Sequence, residues 1–436
     1  MNKTLLALIV ALGGFLMGFD ASVIAGVVGA IEIEFGLTKL QLGWAVSSLT
    51  LTATLGMMLS GPLSDRIGRK PVLQLAAVLF AVSAVASAIA PDFLTLVIAR
   101  MVGGLGVGAA LIIAPMYIAE MAPPESRGRL VSFNQLNIVI GISAAFFSNY
   151  LILSLGESGA PWTEPLRLGE LGWRWMLGVE AIPAVIYFLA LLPVPESPRW
   201  LEMRGRAVPP KVPVSELLQP ALKKVLFIGI AVGVLQQITG INSVFFYAPV
   251  IFEQAGFGTN AAFMQAVLVG LTNLAFTVVA ILMIDRLGRR PLLGFGLFGI
   301  AVCMFTLAWA FSGVDEAAAD AATVVNANIV LFAILGFVAC FAVSLGPVMW
   351  VLFSELFPDE VRGLAVSFVG LINSTVSFLV TLVFPWQLDT IGPAATFAAY
   401  GGFAAVGLVI VMRVLPETKG RSLEELEQML VIDSVR

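Results

Sequence analysis

The stretch Gln236-Gln237-Ile238-Thr239-Gly240-Ile241-Asn242 sets three carboxamides and a hydroxyl in the middle of a long apolar segment. An unpaired amide in hydrocarbon costs several kcal/mol, so this cluster calls for a cavity or a ligand. Each carboxamide presents donors and an acceptor together, which suits the hydroxyls of a sugar or polyol. Gln and Asn can also join neighbouring helices in a membrane. Adjacent Gln236 and Gln237 point about 100° apart on a helix, however, and cannot both serve one helix contact. A ligand site is the better reading.

Asp20, Arg100 and Glu180 form a second set, ionisable groups inside apolar segments, where a charge costs at least ~2.5 kcal/mol. At a rise of 1.5 Å per residue, each lies roughly 10 to 15 Å from the outer end of its helix, so Arg100 can pair with either acid. Two acids competing for one Arg suit a switch better than a permanent salt bridge. The chain has no His, so proton chemistry near neutral pH must rest on a carboxylate. Cys303 and Cys340 lie in apolar runs, and neither a disulfide framework, a metal site nor a cofactor is expected. An enzyme would need a nucleophile, metal cluster or acid–base pair near the amides, and none is visible.

The elements that must position these groups are membrane helices. Hydrophobic residues make up 59% of the chain and charged residues 12%, with mean hydropathy +0.98, against about 25% charged in soluble domains. At ~20 apolar residues per span, twelve segments are expected, at 4–30, 40–63, 71–90, 93–119, 130–153, 173–193, 221–250, 262–284, 291–312, 326–353, 364–386 and 395–415. The first reads as an uncleaved span, since the apolar run continues past Asp20 without a small-residue cleavage site. Placing both termini in the cytoplasm leaves only Lys39, Arg167 and Arg174 among the loop cations outside. The net charge of −4 gives no sign of a nucleic-acid partner.

Three phrases recur about 220 to 235 residues apart, as in a protein built from two related halves. Asp65-Arg66-Ile67-Gly68-Arg69 returns as Asp285-Arg286-Leu287-Gly288-Arg289, Glu120 with Arg127 returns as Glu355 with Arg362, and Pro195-Glu196 returns as Pro416-Glu417. All fall at the basic, cytoplasmic helix ends. With Arg199 they predict a paired structure in which carboxylates and guanidiniums lock the two bundles together on that side, so that opening it requires breaking those contacts. The expected division is a first six-helix bundle at 1–193, a short linker at 194–220, a second bundle at 221–415 and a tail at 416–436, whose residues 422–429 pattern as an amphipathic helix.

Together with Pro195 to Trp200 and Gly346-Pro347-Val348-Met349-Trp350, these motifs resemble the sugar porter family of the major facilitator superfamily over nearly the whole chain, with bacterial proton-coupled pentose and hexose symporters nearest in pattern. The resemblance implies an all-α membrane protein of two pseudo-symmetric six-helix bundles, working by alternating access as a monomer in the bacterial plasma (inner) membrane. It implies sugar contacts at Gln135, Gln236, Gln237, Asn242, Asn273, Trp350 and Asn373, a protonation site at Asp20, a switchable partner in Arg100 and a relay in Glu180. The substrates implied are protons and a neutral monosaccharide such as xylose, glucose or galactose. A passive uniporter and a non-transporting sugar sensor are the alternatives. The chain departs from the pattern at Phe246, where a Tyr is usual, at Ser374, where an aromatic is usual, and in its short linker.

Overall fold

A computed structural model describes residues 3–122, 127–203, 213, 216–217, 219–312, 326–419 and 425. Among these, twelve helices are long and apolar enough to cross a membrane, and no strand occurs. They are α1 (Thr4–Gly26), α2 (Lys39–Ile67), α3 (Arg69–Ala88), α4 (Phe93–Met121), α5 (Phe133–Glu157), α6 (Leu168–Leu191), α7 (Lys223–Gln254), α8 (Thr259–Ile284), α9 (Arg289–Ser312), α10 (Ala327–Phe353), α11 (Val361–Thr390) and α12 (Gly392–Val414). Each coincides with one of the twelve expected segments. The expected tail helix lies, except for Glu425, outside the described residues, as does most of the linker.

Local chemistry marks where the helices start and stop. Thr38 and Gln41 form a capping box at α2, with Thr38 N–H donating to Gln41 Oε1 at 2.9 Å. Asp92 caps α4 by accepting from the Thr95 amide at 2.8 Å, and Asn326 caps α10 by accepting from Ile329. The tight turns between α2 and α3 and between α8 and α9 rest on Gly68 at φ 105° and Gly288 at φ 91°, backbone conformations that disfavour any side chain.

Two spans are interrupted where the sequence allows it. In α7 the helix stops at Thr239 and restarts after Gly240, at φ 87°, where an added Cβ would lie 2.4 Å from the Tyr400 ring. In α10 the break falls at Ser344, at φ −117° and ψ −92°, just before Pro347, which has no amide hydrogen to give back to the preceding turn. Both breaks flank the candidate site residues.

The chain forms two compact units. The first holds residues 1–206, 245–274 and 381–386, and the second holds 207–244, 275–380 and 387–436. Within the first, small residues admit close helix contact. An added Cβ on Gly43 would sit 1.9 Å from the Leu382 carbonyl oxygen, and Ser143 Oγ donates to the Gly270 carbonyl at 2.9 Å. Phe146 and Phe245 stack with their centroids 6.3 Å apart. The part of α7 after Val244 and the first part of α8 thus pack with helices from the first half of the chain.

Candidate substrate and coupling sites

The second unit gathers four of the expected amides, and Gln236 and Gln237, expected to be unable to share one helix contact, both bond Asn373 of α11, because their side chains are long enough to converge from faces about 100° apart. Gln237 Nε2 donates to Gln236 Oε1 at 3.1 Å and to Asn373 Oδ1 at 3.2 Å, while its Oε1 accepts from Asn242 Nδ2 at 2.9 Å. Asn373 Nδ2 donates to the Gly233 carbonyl at 2.8 Å and to Gln236 Oε1 at 2.9 Å, with Met349 Sδ 3.7 Å away. Gln236 Nε2 donates to the Leu345 carbonyl at 3.1 Å, a group freed by the break in α10. Asn242 spends its remaining hydrogen on Ser377 Oγ at 2.6 Å.

Counting donors shows what this network can still do. Both amide hydrogens of Gln237, Asn242 and Asn373 are used inside it. Among the described residues, one hydrogen of Gln236, Asn242 Oδ1 and the Ser377 hydroxyl hydrogen remain without a partner. The site therefore presents uncharged donors and an acceptor side by side, and a polyhydroxylated ligand can trade its hydroxyls for the internal bonds at little net cost. Ser377 and Met349 escaped the sequence reading. Ser377 stands one helical turn beyond Asn373, and that spacing was the available signal.

The other expected contacts are less gathered. Trp350, on the restarted part of α10, is 43% exposed and meets Phe353 edge-on, with centroids 6.0 Å apart. Gln135 on α5 is exposed and Asn273 on α8 is buried, and both belong to the first unit.

The first unit holds the ionisable trio. Arg100 Nη1 donates to Asp20 Oδ1 at 2.9 Å, and both Nη atoms reach the Asp20 carbonyl at 3.3 Å. Both side chains are buried, as is Glu180, which sits between the two helical segments of α6 and feels the charges of Asp20 and Arg100. Among the described residues, Asp20 Oδ2, Glu180 Oε1 and Arg100 Nε have no hydrogen-bond partner. Gly103 makes room for the aspartate, since an added Cβ would lie 2.8 Å from Asp20 Oδ2. Two acids and one base are thus enclosed with unspent oxygens.

The repeated phrases build the same clasp twice, and the bonds of each clasp join residues of a single unit where a lock joining two bundles was expected. In the first unit Arg69 forks onto Glu120, with Nη2 to Oε1 at 3.0 Å and Nε to Oε2 at 3.2 Å, and its Nη1 reaches Asp65 at 2.8 Å. Glu196 accepts from the amides of Arg69 at 3.0 Å and Lys70 at 3.2 Å, and Ser197 Oγ donates to Glu120. In the second unit Arg289 Nη2 donates to Glu355 at 2.8 Å, Glu417 accepts from the amides of Arg289 at 3.0 Å and Arg290 at 3.1 Å, and Thr418 Oγ1 donates to Glu355 at 2.7 Å. Glu417 lies beyond the end of α12. Its partial burial would push its carboxyl up, but the amides of Lys419, Arg289, Arg290 and Thr418 prevail and hold it below its ordinary value of 4.5.

Of the other expected lock residues, Arg66, Arg199 and Arg286 are exposed, and Arg362 Nε donates to the Phe357 carbonyl at 3.1 Å. The side chains of Arg127 and Asp285 lie outside the described residues. The sequence missed Ser197 and Thr418 as clasp members, although each directly follows a recurrent glutamate.

Twelve spans, a duplicated clasp, a neutral amide cluster and a buried acid–base trio describe a membrane protein built like a solute transporter. The chain matches the model of the family "Sugar (and other) transporter" over residues 6–211 and 210–430, and it belongs to that family. It is 36% identical to the arabinose-proton symporter of Bacillus subtilis (strain 168), with 96% of this chain and 93% of that protein covered. It is 35% identical to the D-xylose-proton symporter of Escherichia coli (strain K12), with 97% and 95% covered. The inward open conformation of the xylose transporter XylE from E. coli superposes with a TM-score of 0.82 at 34% identity, covering 98% of this chain and all of that one. The expected fold, that of the major facilitator superfamily, and the expected family are those found, and sugar transport follows at the level of the family.

Proposed function

We propose that the protein is a proton-coupled symporter of a neutral monosaccharide, such as xylose, glucose or galactose, working as a monomer in a bacterial plasma membrane with both termini cytoplasmic. The observation that carries the proton coupling is the enclosed trio of Asp20, Arg100 and Glu180. With both acids ionised it would carry an unbalanced buried charge, and one proton removes that imbalance. Asp20 takes the proton when Arg100 releases it, and Glu180 provides the alternative partner or relay.

Gln236, Gln237, Asn242 and Asn373 bind the sugar, with Gln135, Asn273 and Trp350 completing the site. The bundles at 1–193 and 221–415 work by alternating access, and the clasps of Asp65, Arg69, Glu120 and Glu196 and of Arg289, Glu355 and Glu417 secure the cytoplasmic helix ends. A proton carried with an uncharged sugar moves one net charge, worth ~2.3 kcal/mol per 100 mV, or roughly 50-fold accumulation.

The test is uptake of labelled pentoses, hexoses and inositol into proteoliposomes, with and without an inward proton gradient. Accumulation that an uncoupler abolishes is the expected result. Saturable uptake that only equilibrates would make the protein a uniporter, and binding without flux would make it a sensor.

A further inference from the structure

An open furrow runs between α7 and α12 at the end of the second unit that carries Arg289 and Glu417. Phe227, Ile228 and Ala231 line one wall and Ile410, Val411 and Val414 the other, so the furrow is apolar throughout. Lys223 and Lys224 are exposed and stand four residues before Phe227 and Ile228, one helical turn nearer the aqueous end on the same faces of α7. Arg413 is also exposed and lies three residues after Ile410 on α12. None of the three cations makes a side-chain hydrogen bond or ion pair among the described residues.

Among the described residues, the neighbouring acids Glu417 and Glu216 have other partners. Glu417 is taken by the amides of Arg289, Arg290 and Lys419, and Glu216 accepts from Gln219. Three unsatisfied cations at the mouth of a hydrocarbon-lined furrow match one kind of molecule, with a phosphate at one end and a chain at the other. The first half of the chain has no equivalent of Arg413. Aligning Pro195-Glu196 with Pro416-Glu417 puts Leu192 there, 50% exposed, and its carbonyl accepts from Lys70 Nζ at 2.8 Å.

We propose that the α7–α12 furrow binds one anionic glycerophospholipid, its phosphate held by Lys223, Lys224 and Arg413 and one acyl chain lying between Phe227 and Val414. Long cationic side chains at a helix end reach the headgroup level while their stems cover apolar surface. Each contributes about 1 kcal/mol toward an anionic lipid. The site braces the start of α7, the helix that carries Gln236 and Gln237 further along. Assigning it to the inner leaflet rests on the proposed topology; lipid binding itself does not.

The test uses the whole protein in neutral detergent, with phosphatidylglycerol or phosphatidylcholine of matched chains added and read by native mass spectrometry and melting temperature. One phosphatidylglycerol is expected to stay bound and to raise the melting temperature where phosphatidylcholine does not. The triple variant Lys223→Gln, Lys224→Gln, Arg413→Gln should bind it about 100-fold more weakly. Ala231→Phe keeps every charge and fills the furrow, and it should also weaken binding.

Equal retention of the two lipids, or unchanged binding by the triple variant, would overturn the site. Glycerol phosphate reproducing the full shift would reduce it to a headgroup-only anion site and overturn the chain's role. A dimer that Ala231→Phe disrupts would make the occupant a second copy instead. Because the readout involves neither sugar nor protons, failure here is distinct from failure of the symport reading. Labelling of Lys223→Cys by an impermeant maleimide from one side of sealed vesicles separately tests the leaflet.

Discussion

The two clasps are nearly superimposable in their chemistry, whereas the interiors they serve have little in common. Arg69, Glu120, Glu196 and Ser197 repeat as Arg289, Glu355, Glu417 and Thr418, down to the glutamate that accepts two successive amides at the following helix start. Deeper in, the first unit holds Asp20, Arg100 and Glu180, and the second, among the described residues, gathers neutral amides and hydroxyls. The parts that set the helix ends are repeated, whereas the proposed coupling and sugar sites are not. On the proposed function the division separates charge handling from hydroxyl recognition, so each should be breakable without the other.

The largest expected effect is on coupling. Asp20→Asn removes the exchangeable proton but leaves an Oδ1 that Arg100 can still bond, so accumulation should fall from roughly 50-fold at 100 mV to equilibration. Sugar-stimulated exchange should persist. Loss of sugar binding to the same degree would end the separation of roles. Next in size is Gln237→Ala, which deletes the amide joining Gln236, Asn373 and Asn242. At about 1 kcal/mol per net hydrogen bond, sugar affinity should drop about 10- to 100-fold, measured by calorimetry, with proton stoichiometry unchanged. An unchanged affinity would remove Gln237 from the site.

Much of this was legible in the sequence, for physical reasons that also explain the gaps. Apolar runs of about twenty residues can form only spanning helices, so all twelve were visible. Buried Asp20 and Arg100 stand out because hydrocarbon makes isolated charges rare, and the pair forms at 2.9 Å. The amide cluster was visible for the same reason, but its wiring was not. Nothing in the order of residues says that Asn373 would spend its hydrogens on Gly233 and Gln236, or that Ser377 would hold Asn242. Ser377 is a polar residue small enough to be satisfied by its own helix, and only the facing helix gives it a role. The packing of α7 after Val244 and of the first part of α8 with helices of the first half was equally hidden, since it rests on small-residue contacts such as Gly270 with Ser143.

Third in size are the paired glycines that let the clasps form. Alanine at Gly68 would place its Cβ 2.2 Å from Glu196 Oε2, and at Gly288 2.7 Å from Glu417 Oε2, in both cases with φ near the left-handed range. Each should cost about 1 to 3 kcal/mol, with Gly68→Ala the more damaging, as read by melting in detergent. Equal small losses would mean that both glutamates swing aside freely, and the clasps would then be solvated turns rather than fixed frames.

The smallest effect tests whether the clasp glutamate works through its charge. Glu417 is held below its ordinary value of 4.5 because, against the cost of partial burial, successive backbone amides favour the ionised form. A depressed carboxyl contributes stability above its unfolded value and loses it as pH falls through the lower, folded value. The wild type should therefore melt above Glu417→Gln at neutral pH, and the gap should stay constant down to about 4.5 and close below that. The gap should be at most about 1 kcal/mol, because the carboxylate keeps much of its water. A gap that persists unchanged into acid would show that the two amide bonds at Arg289 and Arg290 act as neutral hydrogen bonds. In that case the charge of the recurrent glutamate would serve only the neighbouring guanidiniums, and the clasp would be set by backbone geometry alone.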